Sequence, residues 1–442
     1  MKFLKAIYFH QRFFWALFIL AVLFLFSYWI IELYAITWVI AMVLCAVVCL
    51  DGLLLFSKNG MRSERILPDK FSNSDSNAVI IKIWSIYTFK IYIEVIDELP
   101  VQFQKRDFLQ ALEMKAGSKN SFEYTIKPYE RGEYFFGNLN IFISTKLKLL
   151  KKRQVFDHGQ AVKVYPSFIQ MKAYDFLAID KRLRQPGLKK IRRIGHTQEF
   201  EQIKDYILGD DIRNINWKAT AKRGSLMVNQ YQEEKAQPIY SIIDTGRVMK
   251  MPFENLSLLD YAINSTLAFS NVALQKKDKV GMMSFSNTSG KIVTANSKKT
   301  NLLSILETLY NIKTEFLDSD FGLLYATINK QIKHRSMIML YSNFEHTNAI
   351  KRELPYLKAI AKKHVLVVIF FENTEINSVI GKDASKIQDI AHKIIAQEFA
   401  SEKRLMQKLL LQNGIQTVLT KPKDLTLNTI NKYLEIKARG IL

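Results

Sequence analysis

The chain has 442 residues, a formal net charge of +22 and a hydrophobic content of 48%. This length allows two or three domains, and the apolar content excludes a largely disordered protein. The charge favours an anionic partner such as lipid, an acidic protein or nucleic acid, but it does not choose among them.

The N-terminal part contains two apolar runs that are separated by a single residue. They are FFWALFILAVLFLFSYWII at residues 13–31 and LYAITWVIAMVLCAVVCL at residues 33–50. Each run has about the length that an α-helix needs to cross a hydrocarbon core. Lysines and arginines, including Arg65, lie outside both outer ends. The pattern predicts a two-pass anchor over residues 1–60 in the inner (cytoplasmic) membrane, with the soluble domains in the cytoplasm.

Two basic stretches follow the predicted anchor. They are KLKLLKKR at residues 146–153 and KRLRQPGLKKIRR at residues 181–193. Beneath a cytoplasmic leaflet, such stretches are expected to meet anionic lipid headgroups. Membrane lipid thus explains much of the charge, and we expect no nucleic acid as a partner.

Residues 61–168 change to short runs of β-branched and aromatic residues with a period of two. Examples are NAVIIKIWSI and KIYIEVIDEL, and turn signals such as AGSKNS separate the runs. Alternation of this kind is typical of strands with one buried face. We therefore predict an antiparallel β-sandwich.

A basic connector over residues 169–237 leads to an alternation of strands and helices over residues 238–442. The strand patterns are short and apolar throughout, which is typical of strands covered on both faces. Amphipathic helical patterns lie between most of them. The sequence predicts a doubly wound α/β domain of the Rossmann type, with ligands at the carboxyl ends of the strands. The predicted strands are residues 239–244, 280–286, 291–295, 336–343, 364–371 and 415–420, with helices at 256–275 and 349–363.

The stretch GHTQEFEQIKDYILGDDIRNINWKATAKRGSLMVNQYQEE at residues 195–234 resembles the signature of a bacterial family, domain of unknown function 58 (DUF58). The resemblance implies two transmembrane helices, a β-rich insert and a von Willebrand factor A-like domain. It also implies an adaptor or scaffold rather than an enzyme, without a cofactor, that works with a MoxR-type AAA+ ATPase in assembly or envelope-stress processes. Other membrane proteins or von Willebrand A-domain proteins are further partners that it implies. The signature positions are Glu199, Phe200, Gly209, Asp210, Asp211, Arg213, Asn216, Trp217, Lys218 and Arg223.

The same resemblance implies a metal-ion-dependent adhesion site, with Asp-x-Ser-x-Ser after the first strand and an Asp after the fourth. This chain departs from that pattern, because Asp244 is followed by Gly246 and Val248, and Asn343 stands where the later Asp is expected. A hydroxyl from Thr314 or Ser319 remains available. We therefore interpret the site as degenerate and without metal. The side chains of Arg247 and Lys250 are candidates to replace the cation's charge toward a partner carboxylate.

The segment GDDIRNINW at residues 209–217 allows three interpretations. In the first it is a charge-paired turn that a buried Trp217 anchors, and in the second it is a partner surface. In the third, Glu199, Asp210 and Asp211 form a carboxylate site of an enzyme. The corresponding alternative function is a membrane-associated nucleic-acid-binding protein or nuclease that uses the basic segments. The chain has no common hydrolase or nucleotide-binding motif beside these carboxylates, which favours the first two interpretations.

Overall fold

The computed structural model describes residues 6–57, 60–174, 198–233, 237–381 and 387–441. The chain divides into two compact units, Met1–Tyr165 and Pro166–Leu442. The basic stretch at residues 181–193 lies outside the described residues. Each unit is described by itself.

Two apolar helices open the first unit, α1 (Gln11–Phe26) and α2 (Ile31–Phe56). Helix α2 is long and apolar enough to cross a membrane, whereas α1, with 16 residues, is shorter. Large apolar side chains such as Phe14 and Ile31 are exposed along both helices. The described part of the chain therefore supports membrane association through an N-terminal apolar helix.

Three sheets follow in the first unit, with strand orders β1-β10-β9-β5-β6, β2-β4-β7 and β3-β11-β8. The pairs are antiparallel, as predicted, except that β3 and β11 are parallel. Side chains of the first two sheets share one buried core. The strands are β1 (Ile7–Phe9), β2 (Met61–Ile66), β3 (Lys70–Ser72), β4 (Asn77–Ser85), β5 (Ile91–Asp97), β6 (Gln110–Met114), β7 (Lys119–Ile126), β8 (Gly132–Phe136), β9 (Leu139–Ser144), β10 (Leu150–Phe156) and β11 (Gln160–Tyr165), and a 3-10 helix spans Val101–Phe103.

Both outer ends of the helical pair return to the five-stranded sheet. Strand β1 precedes α1 and pairs with β10. At the other end, Leu55 of α2 is fully buried in the core between the sheets. The carboxylate of Asp51 accepts hydrogen bonds from Thr145 Oγ1 at 2.5 Å and from Leu150 N at 3.0 Å. The last turns of α2 are thus part of the folded β unit.

The basic stretch at residues 146–153 does not form the free cationic surface that we predicted. Lys151 is paired with Glu94 at 2.6 Å. Lys152 is buried, its Nζ donates to Leu55 O at 3.1 Å, and burial lowers its pKa. Lys152 is buried because alternate residues of β10 face the core. Lys152 is therefore not available to lipid headgroups and Lys151 is already paired, whereas Lys146 of the same stretch is exposed.

An ion pair lies buried between the sheets. Arg65 Nη1 donates to Asp97 Oδ1 at 2.5 Å, and both side chains are almost completely buried. Tyr124 donates its hydroxyl to Asp97 Oδ2 at 2.5 Å. Burial raises the pKa of Asp97 although Arg65 opposes this shift. Arg65, predicted as a flanking charge at the membrane surface, is therefore a core residue.

The second unit is built on a six-stranded sheet with the order β18-β17-β14-β19-β20-β21. All six predicted strands are present, and five of them are parallel. Strand β18 is antiparallel to β17, so the sheet is mixed rather than purely parallel. The strands are β14 (Pro238–Asp244), β17 (Lys279–Phe285), β18 (Ser289–Asn296), β19 (Met337–Tyr341), β20 (Val365–Phe371) and β21 (Gln416–Thr420), with shorter pairs β12 (Gln198–Asp205) with β13 (Met227–Glu233) and β15 (Pro252–Phe253) with β16 (Leu256–Ser257).

Helices cover both faces of this sheet. Successive residues of β14 point to opposite faces, so Ile242 and Ile243 belong to two different core clusters. Both predicted helices are present, and one of them contains Pro355. The helices are α3 (Phe168–Ala173), α4 (Trp217–Arg223), α5 (Leu258–Gln275), α6 (Thr300–Tyr310), α7 (Phe321–Gln331), α8 (Thr347–Lys363), α9 (Thr374–Ile380), α10 (Ile387–Gln412) and α11 (Leu425–Arg439), with 3-10 helices Ile212–Asn214, Arg247–Lys250 and Pro422–Asp424.

Candidate functional site

The carboxylate of Asp244 lies at the carboxyl end of β14, a central strand of the sheet, and is 1% exposed. Its Oδ1 accepts hydrogen bonds from Gly246 N at 2.8 Å and from the hydroxyl of Ser319. Its Oδ2 accepts one from Ser342 Oγ at 2.6 Å. Burial raises the pKa of Asp244, while these donors lower it. Sequence analysis assigned metal-site positions to Asp244 and Ser319 and gave no such role to Ser342.

Position 246 has no room for a side chain, which explains why a glycine stands there. A Cβ atom there would overlap Ser319 Oγ and would lie 3.1 Å from both Leu317 O and Asp244 Oδ1. The hydroxyl of Ser319 thus fills the space that a side chain at position 246 would need. Val248, at the second serine position of the implied pattern, packs against the hydrophobic core. Neither position supplies an oxygen ligand.

This geometry predicts that a serine at position 246 is tolerated only when Ser319 is removed. We expect Gly246→Ser to destabilise the protein by about 1–3 kcal/mol, because the inserted atoms overpack a closed space. The double variant Gly246→Ser/Ser319→Gly should recover most of this loss. Equilibrium unfolding of the four proteins in a double-mutant cycle measures the coupling. Additive effects would contradict the shared space.

The residues around Asp244 do not fit a bound Mg²⁺. Such an ion takes oxygen ligands in near-octahedral geometry. Here Gly246 and Val248 supply no side-chain oxygen, and the ammonium group of Lys403 donates to the Oδ1 of Asn343 at 2.8 Å. Within the described ranges, no group of three or more His, Cys, Asp or Glu residues is arranged to hold a metal ion.

A lysine from α10 lies beside this strand end. Lys403 Nζ donates to Asn343 Oδ1 and to Phe344 O at 2.5 Å. Burial lowers its pKa to about 8, while the nearby Glu345 and Glu402 raise it. Among the residues that the structure describes, no carboxylate forms an ion pair with this ammonium group. Sequence reasoning missed Lys403, because nothing in its local sequence distinguishes it from the other lysines of a charged helix.

Lys403 lines a cavity of about 400 Å³ next to the carboxyl ends of β19 and β20. Aromatic and aliphatic side chains form half of its lining, and polar or charged side chains, including Glu345, Glu372 and Arg404, form the other half. A concave site that combines apolar walls with polar groups is a candidate ligand-binding pocket. The lining residues are Met251, Phe253, Leu258, Asn343, Glu345, His346, Phe371, Glu372, Asn373, Ile376, Phe399, Ala400, Lys403 and Arg404.

The two cations that the sequence proposed as charge substitutes do not line this cavity. Arg247 Nε lies 3.6 Å from Asp318 Oδ1, and both side chains are mostly exposed. Lys250 Nζ lies 3.7 Å from the centroid of the Phe316 ring. The cation at the cavity wall beside Asn343 is Lys403 instead.

The signature segment forms a β-hairpin with a long connection. Glu199 pairs with Gln232 and Phe200 with Tyr231 in the β12–β13 ladder. The turn at Gly209 has φ +108°, a value that favours glycine. Its backbone is held by Asp210, whose Oδ1 lies 2.9 Å from Lys204 Nζ and whose Oδ2 accepts from Ile207 N at 3.1 Å. The side chains of Asp211 and Asn216 fix the rest of the connection.

Asp211 and Asn216 cap the short helices of the connection. Asp211 Oδ1 accepts from Arg213 N at 3.0 Å at the start of the 3-10 helix. Asn216 Oδ1 accepts from Ala219 N at 3.0 Å and so caps α4. Asp210 and Asp211 thus each accept a backbone hydrogen bond that fixes the connection, as the first interpretation of this segment expects. The side chains of Arg213, Lys218 and Arg223 are exposed.

Trp217 does not anchor the segment. Its side chain is 69% exposed, and Leu208 and Ile212 are 97% and 69% exposed. Hydrogen bonds of polar side chains hold the connection in place, so no buried aromatic residue is required. The prediction of a buried Trp217 was wrong, whereas the prediction of a structured turn around Gly209 was correct.

The chain is similar to the uncharacterized protein YeaD of Bacillus subtilis (strain 168), with 24% identity over 123 residues. These residues are 27% of this chain and 30% of YeaD, so the match spans less than a third of that relative. Two solved structures cover 24% of this chain with low similarity. They are the CARDB domain of a Pyrococcus furiosus protein in complex with di-metal ions (10% identity, 86% of that chain, TM-score 0.17) and an ASH/PapD-like domain of human CEP192 (9%, 88%, 0.19).

TM-scores this low support no statement about fold or function. The part of the chain that the family comparison covers includes the hairpin connection, Asp244 and Asn343 but not Lys403. Residues 202–379 match the family described as protein of unknown function DUF58.

Proposed function

We propose that the protein is a membrane-tethered adaptor that binds an acidic group of a partner protein at the carboxyl edge of the six-stranded sheet. The observation that carries this proposal is the ammonium group of Lys403, which lines the cavity beside Asn343 and has no carboxylate in ion-pair distance among the described residues. A partly buried cation of this kind gains a strong, charge-assisted hydrogen bond when a carboxylate enters.

The second unit is proposed to be a von Willebrand factor A-like domain. Three features support this proposal: the strand order with one antiparallel edge strand, the helices on both faces, and an aspartate at the end of β14. In the adhesion site that this resemblance implies, a metal ion receives a partner's carboxylate. In this chain Lys403 supplies the positive charge instead, so that the degenerate site binds without metal.

The tether is proposed to be a two-pass helical hairpin in the inner membrane, with the folded units in the cytoplasm. The 26-residue length of α2 and the exposed apolar surfaces of both helices support this arrangement. The pairing of β1 with β10 and the burial of Leu55 also support it, because they bring both outer ends to one sheet. A hairpin in a bilayer requires that both ends emerge on one side.

The proposed partner is an AAA+ ATPase of the MoxR type, as the family resemblance implies, and the protein itself is not an enzyme. To test this, solubilised membranes carrying tagged full-length chain are used for co-purification. Lys403→Met should abolish recovery of an ATPase, whereas Lys403→Arg should retain part of it. Arg247→Gln/Lys250→Gln is the matched control and should bind normally, since neither cation lines the cavity. Equal recovery with Lys403→Met would refute the role of the cavity.

The same interaction should depend on pH. Because burial lowers the pKa of Lys403 to about 8, the ammonium form is lost as the pH rises through that value. Partner binding should therefore weaken between neutral and mildly alkaline pH, and it should weaken less for Lys403→Arg, since arginine stays protonated. Titration of the purified complex by light scattering or calorimetry measures this difference. A flat profile for the wild type would contradict an ionic contact.

Divalent metal ions should not change the unfolding temperature of the wild-type protein. Ligands that bind only the native state raise the unfolding temperature. We expect neither Mg²⁺ nor Mn²⁺ to raise it and chelation with EDTA not to lower it, because Gly246 and Val248 supply no oxygen ligand and the ammonium group of Lys403 lies against Asn343. A saturable thermal shift that Asp244→Ala removes would show a working metal site.

A further inference from the structure

The connection of the β12–β13 hairpin carries an apolar surface, here called the hairpin tip and defined as Ile207, Leu208, Ile212 and Trp217. Their side chains are 64%, 97%, 69% and 69% exposed. The backbone beneath them is fixed by hydrogen bonds, including Asp210 N to Ile207 O at 2.9 Å. Apolar residues that protrude from an ordered turn, instead of packing beneath it, indicate a surface that binds something.

Basic side chains accompany the hairpin tip. Arg213, Lys218, Lys222 and Arg223 are exposed, and the described residues provide no ion pair for any of them. In contrast, Lys204 is neutralised by Asp210 at 2.9 Å. The connection therefore combines protruding aromatic and aliphatic groups with an excess of positive charge.

We propose that the hairpin tip inserts into the headgroup region of an anionic lipid bilayer. Tryptophan and leucine partition favourably to the boundary between headgroups and acyl chains, and lysine and arginine pair with anionic headgroups. A protruding turn suits a soft, flat bilayer better than a protein pocket. The apolar helix α2 also makes a bilayer part of the surroundings of this chain. This inference is independent of the proposed carboxylate binding at Lys403.

The test uses the full-length chain in nanodiscs, with Cys45 and Cys49 replaced by alanine and Leu208→Cys labelled with an environment-sensitive fluorophore. Discs contain phosphatidylcholine alone or with phosphatidylglycerol, and a fraction of the lipid has brominated acyl chains. We expect a blue shift and quenching by brominated lipid at position 208, stronger in anionic discs. Because Leu208 is 97% exposed, the substitution should not disturb folding.

The matched control is Leu303→Cys, a label on a leucine of α6 that is 61% exposed. It should show no quenching. Lys218→Gln/Lys222→Gln/Arg223→Gln should remove most of the quenching at position 208 in anionic discs. Equal quenching in both lipids and in the charge variant, or none at position 208, would overturn the proposal. A blue shift in detergent that grows with protein concentration would also overturn it and assign the hairpin tip to a second copy of the chain.

Discussion

Replacing Arg65 with methionine should destabilise the first unit by about 3–5 kcal/mol, the usual effect of leaving a buried charge without its partner. Asp97 would remain buried with only the Tyr124 hydroxyl as a side-chain donor. The effect is measured by native-state hydrogen exchange of the β5 amides in detergent, which reports opening of this unit alone.

The control for Arg65→Met is an exposed ion pair in the same unit. Lys90 and Glu113 lie 2.7 Å apart, with half or more of each side chain in solvent. Lys90→Met should leave the stability of this unit nearly unchanged, because an exposed ion pair contributes little. The double variant Arg65→Met/Asp97→Val should be less destabilised than either single variant, since neither charge then remains buried without its partner. A small effect of Arg65→Met would show that the pair is not buried.

The second large effect is expected at Asp244. Asp244→Ala removes the acceptor of three donors, which are two hydroxyls and a backbone N–H. Buried donors without an acceptor are costly, so we expect a loss of about 2–4 kcal/mol in the free energy of unfolding. Asp244→Asn is the isosteric control. Its Oδ1 can accept as before and its amide can donate to Ser342, so its effect should be small.

The stability difference between wild type and Asp244→Asn should depend on pH. Burial raises the pKa of Asp244 in the folded state, so its proton is bound more tightly when the protein is folded. The corresponding stabilisation is complete at acid pH and is lost as the pH rises through the folded-state pKa. Wild type should therefore gain stability relative to the asparagine variant on acidification. The opposite trend in denaturant titrations would contradict the raised pKa.

The strands of the large sheet could be predicted from sequence, because burial of a strand requires a recognisable local pattern of apolar residues. The six strands of the large sheet are short apolar runs because both of their faces are covered. The direction of β18 was missed although the sequence contains the signal. Only three residues separate the end of β17 at Phe285 from the start of β18 at Ser289. A connection this short allows a hairpin, whereas a parallel crossover needs a dozen residues or more.

The candidate site was predicted only in part, for a different physical reason. Asp244 ends a strand that a short apolar run predicts, so its position at the carboxyl end of that strand could be inferred. The contacts of Lys403 depend on how α10 packs, and no local pattern encodes them. Trp217 was misplaced because a large aromatic residue was assumed to be buried, while Asp210, Asp211 and Asn216 carry out the local stabilisation.

The continuity of α2 has a mechanical consequence. Its apolar part and its last turns are one uninterrupted helix, and those turns are fixed by the core burial of Leu55 and by the hydrogen bonds of Asp51. Tyr87 Oη and Lys152 Nζ also donate to Leu55 O, at 3.0 and 3.1 Å. In a bilayer, a change in thickness alters the tilt of a helix. Here the tilting helix would act as a lever on the five-stranded sheet, because its last turns are fixed to that sheet.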